Sequence, residues 1–192
     1  MQIVLLAAGK SSRMGTNKLA LLYKDKPLLI HSLEAALDFS SHVVLVTGYY
    51  REQTLSILKE YRYEHHRALH IVHNNRPSEG QFSSTLTGLK EISGDDCCAI
   101  ALSDSPLIRK EHYLFLEEHL ESHDGVRVFH RSTPGHPMLC SADLVQQAKH
   151  EDIHSTMRSF LVGKDINNIE SDDPSWILDV DTMPAYRKLL SL

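Results

Sequence analysis

The chain has 192 residues, of which 42% are hydrophobic and 23% charged, the balance of an ordinary globular domain rather than a disordered, collagen-like or coiled-coil chain. This length predicts one α/β domain over residues 1–192, able to bury about two-thirds of its unfolded surface without a disulfide or metal staple. Its 20 Lys and Arg against 25 Asp and Glu leave a net charge of −5, which argues against a general nucleic-acid binder.

Short apolar runs alternate with longer amphipathic ones from the start of the chain. Ile3–Ala7 reads as a buried strand, and Pro27 opens a helix with Leu29, Leu33, Ala36 and Leu37 among its apolar positions. His42–Thr47 predicts a second strand, Glu52–Tyr61 a helix with Leu55, Ile57 and Leu58, and His70–His73 a third strand. Phe82–Ile92 is then helical, with Leu86 and Leu89 inward, and Cys97–Leu102 is a fully buried strand. Lys110–Glu121 reads as a helix, Val126–His130 as a strand and Ala142–Lys149 as a helix. Asp165–Ile169 and Ser175–Val180 read as short strands, and Met183–Leu190 as a final helix. Such alternation predicts a three-layer, Rossmann-like fold whose mostly parallel sheet carries helices on both faces. Ligands of such sheets bind at the carboxyl ends of the strands, here Ala8–Gly15, Gly48, Asn74–Ser84, Asp104–Pro106 and Gly135–Pro137.

Cys97, Cys98 and Cys140 make no disulfide framework and suit a reducing cytoplasm. The apolar start Ile3–Ala8 is too short for a signal peptide, and no later run approaches the ~20 residues that cross a bilayer. No membrane partner is expected. His65, His66, His70 and His73 cluster, but without an H-E-x-x-H or C-x-x-C partner they read as no metal site.

Chemistry concentrates first at Leu6-Ala-Ala-Gly-Lys-Ser-Ser-Arg-Met-Gly15, followed by Lys18. Gly9, Ser11, Ser12 and Gly15 directly after a buried strand let the backbone turn tightly and aim N–H groups at an anion. Arg13 can fork onto phosphate oxygens, and Lys18 adds a compact positive charge. The stretch is neither G-x-G-x-x-G nor a P-loop. Taken alone, a basic surface turn explains it equally well. Asp104 before Ser105-Pro106 also admits a turn or capping role. Asp179 and Asp181 alone read as a solvated strand end, His136 as a turn residue, and Lys24 and Lys26 as a solvated hairpin.

Five blocks, in order, change that balance. Leu6–Gly15 with Lys18 resembles the signature of the MobA-like nucleotidyltransferases, nearest their molybdenum cofactor cytidylyltransferase (MocA-like) branch. Glu79-Gly-Gln-Phe-Ser-Ser-Thr-Leu-Thr-Gly88 resembles the family's G-M-S-x-S-L-x-x-G, and Ser103-Asp-Ser-Pro106 its G-D-x-P. Gly135-His-Pro137 resembles G-H/N-P, and Asp179-Val-Asp-Thr182 resembles D-I-D-T-P-E-D.

The resemblance implies attack by a phosphorylated acceptor on the α-phosphorus of a nucleoside triphosphate, with pyrophosphate leaving. It implies Arg13, Lys18 and Asp104 as the catalytic groups, and Leu6, Ala7, Ala8, Gly9, Ser11, Ser12, Gly15, Ser83 and Ser84 as nucleotide contacts. It implies Mg²⁺ on Asp104 with Asp179 or Asp181, and the acceptor near Gly135, His136 and Pro137. Ala-Ala at positions 7 and 8, where relatives using GTP tend to carry Gly-Gly, favours CTP. The implied acceptor is a molybdopterin, with a molybdoenzyme as recipient of the product. An already ionised phosphate nucleophile needs no strong base, so no catalytic histidine is assigned.

Three departures fall outside the nucleotide loop. Ser103 stands where the family has Gly, Met183-Pro-Ala replaces Pro-Glu-Asp, and Asp152–Arg158 lacks the glycines of G-D-x-G-x-R. A sugar- or polyol-phosphate acceptor and a non-catalytic nucleotide-binding relative are therefore competing readings. A glycosyltransferase is another, because Asp179-Val-Asp181 satisfies D-x-D, although the motif lies near the chain's end rather than after a central strand.

Overall fold

A computed structural model describes residues 1–192. Strand β1 (Gln2–Ala7) lies at the centre, buried along its whole length. It pairs in parallel with β4 (Val43–Thr47) and β6 (Cys98–Leu102), and β4 pairs in parallel with β5 (Leu69–His73). Beyond β6 come β8 (Thr133–Cys140), β7 (Gly125–His130) and β9 (Ile166–Glu170). The seven-stranded order is β5-β4-β1-β6-β8-β7-β9, and β8 alone runs against the others. A two-stranded hairpin of β2 (Leu22–Tyr23) and β3 (Lys26–Pro27) turns through Lys24 and Asp25, the hairpin expected there.

Period-two alternation divides the strands between two cores. Ile3, Leu5 and Ala7 of β1, with Val43, Leu45, Ala99, Ala101, Val126 and Val128, face helices α1 (Leu28–Phe39), α2 (Arg51–Glu60) and α4 (Lys110–Glu118). Val4, Leu6, Val44, Val46, Cys98, Ile100, Met138 and Cys140 face α3 (Gln81–Leu89), α5 (Ala142–Lys149) and the short α6 (Met157–Phe160). Burial on both faces explains why these strands read as unbroken apolar runs. The last helix, α7 (Met183–Leu190), places Leu189 with Tyr23, Leu28 and Val180 in a third small cluster.

Two expectations are corrected. Ser175–Val180 is not a strand: Pro174–Ile177 forms a 3-10 turn, begun by a proline without an N–H and by Asp173, whose side chain accepts from Ser175 N at 2.8 Å. Gly135–Pro137 is not a loop after a strand but the middle of β8. Pro134, Gly135 and Pro137 mask it in the sequence, because each lowers strand propensity. The β6–β8 ladder ends at Ile100–Met138, one residue before Pro137, and the two strands part toward the carboxyl end of β6.

Helix α3 sits close on the sheet because of Gly88. A Cβ there would come within 2.4 Å of Val4 Cγ1 and 2.9 Å of Val46 Cγ2. That approach carries the N-terminus of α3 over the carboxyl end of β1.

Candidate active site

Where β1 ends, Ala8 is pinned by its neighbour strand: Tyr49 N donates to Ala8 O at 3.4 Å, and a Cβ on Gly48 would lie 2.6 Å from Ala8 Cβ. The chain then closes a tight turn about Ser11, at φ 51°, whose carbonyl accepts from Met14 N at 2.9 Å and Gly15 N at 3.1 Å. Gly15 adopts φ 68°, a left-handed conformation that costs glycine little. A 3-10 turn, Lys18–Ala20, follows at once, capped by Asn17 Oδ1 accepting from Leu19 N at 3.1 Å. This sequence of turns sends Lys18 back toward the strand ends.

Asp104 follows β6 and is held there by Ser103, whose N–H and hydroxyl both donate to the carbonyl of Leu6. Serine in the place of the family's glycine thus ties β6 to β1. The remaining carboxylates come from far along the chain. Val180 N donates to Asp104 O at 3.1 Å, and the Val180 side chain is fully buried. That backbone hook brings Asp179 and Asp181 to Asp104, so that carboxylate oxygens of all three lie within 4.8 Å of one another.

The resulting cleft has a volume of about 310 Å³. Of the expected residues, Leu6, Ala7, Ala8, Gly9, Ser11, Ser12, Arg13, Lys18, Ser84, Asp104, Asp179 and Asp181 line it. Gly15 and Ser83 do not. Gly15 serves the turn, and the Ser83 hydroxyl donates to Arg76 O and Gly80 O at 2.9 and 2.8 Å, bracing the loop before α3. Gly135 packs against Trp176, whose carbonyl oxygen would lie 2.7 Å from a Cβ there, and Pro137 is buried in β8. Leu19 and Leu102, which the sequence did not single out, also line it, as do Pro77, Gly80 and Gln81 of the expected strand end Asn74–Ser84. A glycine immediately before an apolar helical stretch was the available signal for Gly80, which adopts φ 98°.

Charge in the cleft is tightly coupled. Lys18 Nζ contacts carboxylates of both Asp104 and Asp181, and Arg13 Nη2 reaches Asp181 Oδ2 at 3.1 Å. Burial pushes the Asp104 carboxyl up, and Lys18 offsets that only in part. Asp179 is raised too, by burial and by the like charges of Asp104 and Asp181. Burial acts on Asp181 in the same sense, but Lys18 and Arg13 overcome it and hold its carboxyl below the usual range. For Lys18, burial opposes the charge and the two carboxylates outweigh it, so its ammonium stays charged at neutral pH. Three oxygen-donor carboxylates and no nitrogen or sulfur ligand fit a hard divalent cation.

His136 lies away from this cleft, its Nδ1 buried and without a partner. Burial and then Arg127 push its imidazole down to about 4. A histidine depressed in the folded state binds its proton more readily when unfolded. It therefore removes stability as pH falls from its ordinary value near 6.5 toward 4. The loss amounts to at most about 3 kcal/mol. His136→Asn is expected to flatten the slope of urea-unfolding stability across that interval. An unchanged slope would contradict the burial account.

The cleft, at the carboxyl ends of parallel strands with Arg13 and Lys18 set against three carboxylates, is where the sequence placed nucleotidyl transfer. Comparison with known proteins narrows the class. The chain belongs to the MobA-like NTP transferase domain family, whose sequence profile matches residues 3–167. It is 30% identical over 179 residues to the molybdenum cofactor cytidylyltransferase of Escherichia coli, covering 93% of this chain and 90% of that one. It is 26% identical over 136 residues to a probable molybdenum cofactor guanylyltransferase of Flavobacterium johnsoniae, covering 70% and 64% of the two chains. The crystal structure of Rv0371c from Mycobacterium tuberculosis superposes with a TM-score of 0.81 at 20% identity, covering 100% of this chain and 99% of that one. No helix is long and apolar enough to cross a membrane.

Proposed function

We propose that the protein transfers CMP from CTP to a phosphorylated small molecule, the molybdopterin form of the molybdenum cofactor, and releases pyrophosphate. The observation that carries this reading is the convergence of Arg13 and Lys18 with Asp104, Asp179 and Asp181 on one cleft. The likeness to the cytidylyltransferase of E. coli over nearly the whole chain supports the acceptor. The Ala-Ala pair at positions 7 and 8, where the family resemblance associates Gly-Gly with GTP, favours CTP.

In this reading the turn Gly9–Arg13 receives the triphosphate. Arg13, 69% exposed and paired only with Asp181, turns from that carboxylate to fork onto the outer phosphates. Lys18 leaves its contacts with the carboxylates and turns its ammonium to the charge that builds at the α-phosphate. Asp104, Asp179 and Asp181 would hold Mg²⁺, which would supply positive charge to the phosphates. Ser84, at the first turn of α3, offers a hydroxyl to the nucleoside. The acceptor phosphate is already ionised, so the residues have only to orient it and exclude water.

Pyrophosphate release from CTP, GTP, ATP and UTP with Mg²⁺ and molybdopterin tests the reading. CTP is expected to lead GTP by roughly tenfold or more in kcat/KM. A GTP preference would overturn the nucleotide assignment. CTP binding without turnover would leave a nucleotide-binding relative, and preference for a UDP-sugar would leave a glycosyltransferase.

A further inference from the structure

Two of the three carboxylates in the cleft belong to a segment that no strand pairs to the sheet. It leaves β9 at Ser171, whose N–H donates to Phe129 O at 2.8 Å, and reaches the site at Val180. The hook from Val180 to Asp104 fixes which segment arrives, but one backbone bond is a weak restraint. Like charges at this spacing repel. Lys18 answers Asp104 and Asp181 but does not touch Asp179. Something else must hold the segment in place.

The 3-10 turn Pro174–Ile177 supplies it. Trp176 is 5% exposed and belongs to the core that α4 covers. Its indole meets the ring of His112 edge-on at 4.7 Å and that of Phe115 at 5.9 Å. Asp173 Oδ2, just before the turn, lies 3.3 Å from His112 Nε2. On its other side the turn rests on Gly135. Glycine weakens the middle of a strand and there often marks a close backbone approach. Gly135 is not in the left-handed region, so space rather than conformation requires it. A Cβ would lie 2.7 Å from Trp176 O, 2.9 Å from its Cβ and 3.1 Å from its C. Two of these are backbone atoms, which cannot swing aside as the tip of a side chain can. Only Ile177 and Leu178 separate Trp176 from Asp179, so a turn that lifts carries the carboxylates with it.

We propose that Gly135 and Trp176 are positioning residues for the divalent cation. The indole anchors the turn against α4, and the bare α-carbon of Gly135 lets that turn lie on β8. Together they keep Asp179 and Asp181 within reach of the ion that Asp104 would share. The inference rests on the cation site of the nucleotidyl-transfer reading. It also takes Gly135 away from the acceptor, because Trp176 covers it.

The test is titration calorimetry of Mn²⁺ into the nucleotide-free protein, with thermal melting and pyrophosphate release beside it. Gly135→Ala and Trp176→Ala should each weaken Mn²⁺ binding by at least about tenfold, the scale on which residues that orient metal ligands act. Trp176→Phe, which keeps a ring between His112 and Phe115, should restore most of the affinity. Gly135→Ala removes no contact and keeps the test open if Trp176→Ala fails to fold. Leu58→Ala opens the same core under α2, and should lower the melting temperature with Mn²⁺ affinity unchanged. Trp176 is the only tryptophan, so its emission should move to longer wavelength in Gly135→Ala. Saturating Mn²⁺ should return most of the lost rate to that variant, with the KM for acceptor unaltered.

The proposal is overturned if the emission of Gly135→Ala is unshifted or if Leu58→Ala loses as much Mn²⁺ affinity. A raised acceptor KM at unchanged Mn²⁺ affinity would overturn it too, and return Gly135 to the acceptor. A parent that binds no Mn²⁺ sinks the cation site and its anchor together. Mn²⁺ binding that Gly135→Ala leaves unaltered sinks the anchor alone, and weakened binding supports the anchor even where CTP transfer fails.

Discussion

Asp104→Asn is expected to slow pyrophosphate release by at least about a thousandfold, because it removes a carboxylate that would hold the divalent cation, whose charge on the phosphates is worth several kcal/mol of transition-state stabilisation. Folding should survive the change. Burial already pushes the Asp104 carboxyl toward its neutral form, so a neutral amide of the same shape fits the site. Melting temperature within a few degrees of the parent, together with the lost rate, separates a role in chemistry from a role in structure. Rates within tenfold of the parent would remove Asp104 from the proposed centre.

Lys18→Met carries the second large effect, and it is on stability as well as rate. Lys18 and Asp104 side chains are 14% and 7% exposed, and the ammonium also serves Asp181. Removing it leaves the acidic group without its internal cation, at a cost of about 3 kcal/mol at neutral pH. The pH dependence has a definite sign. The folded-state pKa of Lys18 is raised, so its contribution is present through the neutral range and is lost as pH rises through that raised value. In the variant the penalty should shrink as pH falls and the carboxylates take up protons. Added Mg²⁺ or Mn²⁺ should stabilise Lys18→Met more than the parent, since a divalent ion replaces the missing charge. Unfolding curves with and without the cation measure both effects, and a variant as stable as the parent that ignores the cation would contradict them.

Much of the frame is legible before any coordinates. Ile3–Ala7, Val43–Val46 and Cys98–Ala101 are apolar through and through, because strands buried on both faces have no polar side to show. The helices announce themselves by spacing, as Leu86 and Leu89 do in α3. Strand β8 escapes notice because Pro134, Gly135 and Pro137 spoil its pattern. Ser175–Val180 misleads in the other direction: its apolar residues are buried, but Trp176 and Val180 reach their clusters from a 3-10 turn and an extended tether.

The site divides along the same line. The glycine-rich turn is local chemistry: its residues are contiguous, and its geometry follows from Ser11, Gly15 and Asn17 bonding to their near neighbours. The amino-acid order by itself therefore determined the turn, its cations and the parallel architecture beneath them. Only the tertiary structure decided that Asp179 and Asp181 stand with Asp104, and that Trp176 lies across Gly135. Periodicity records which side of an element is buried, but not which distant segment covers it. A single backbone bond from Val180 to Asp104 makes that choice.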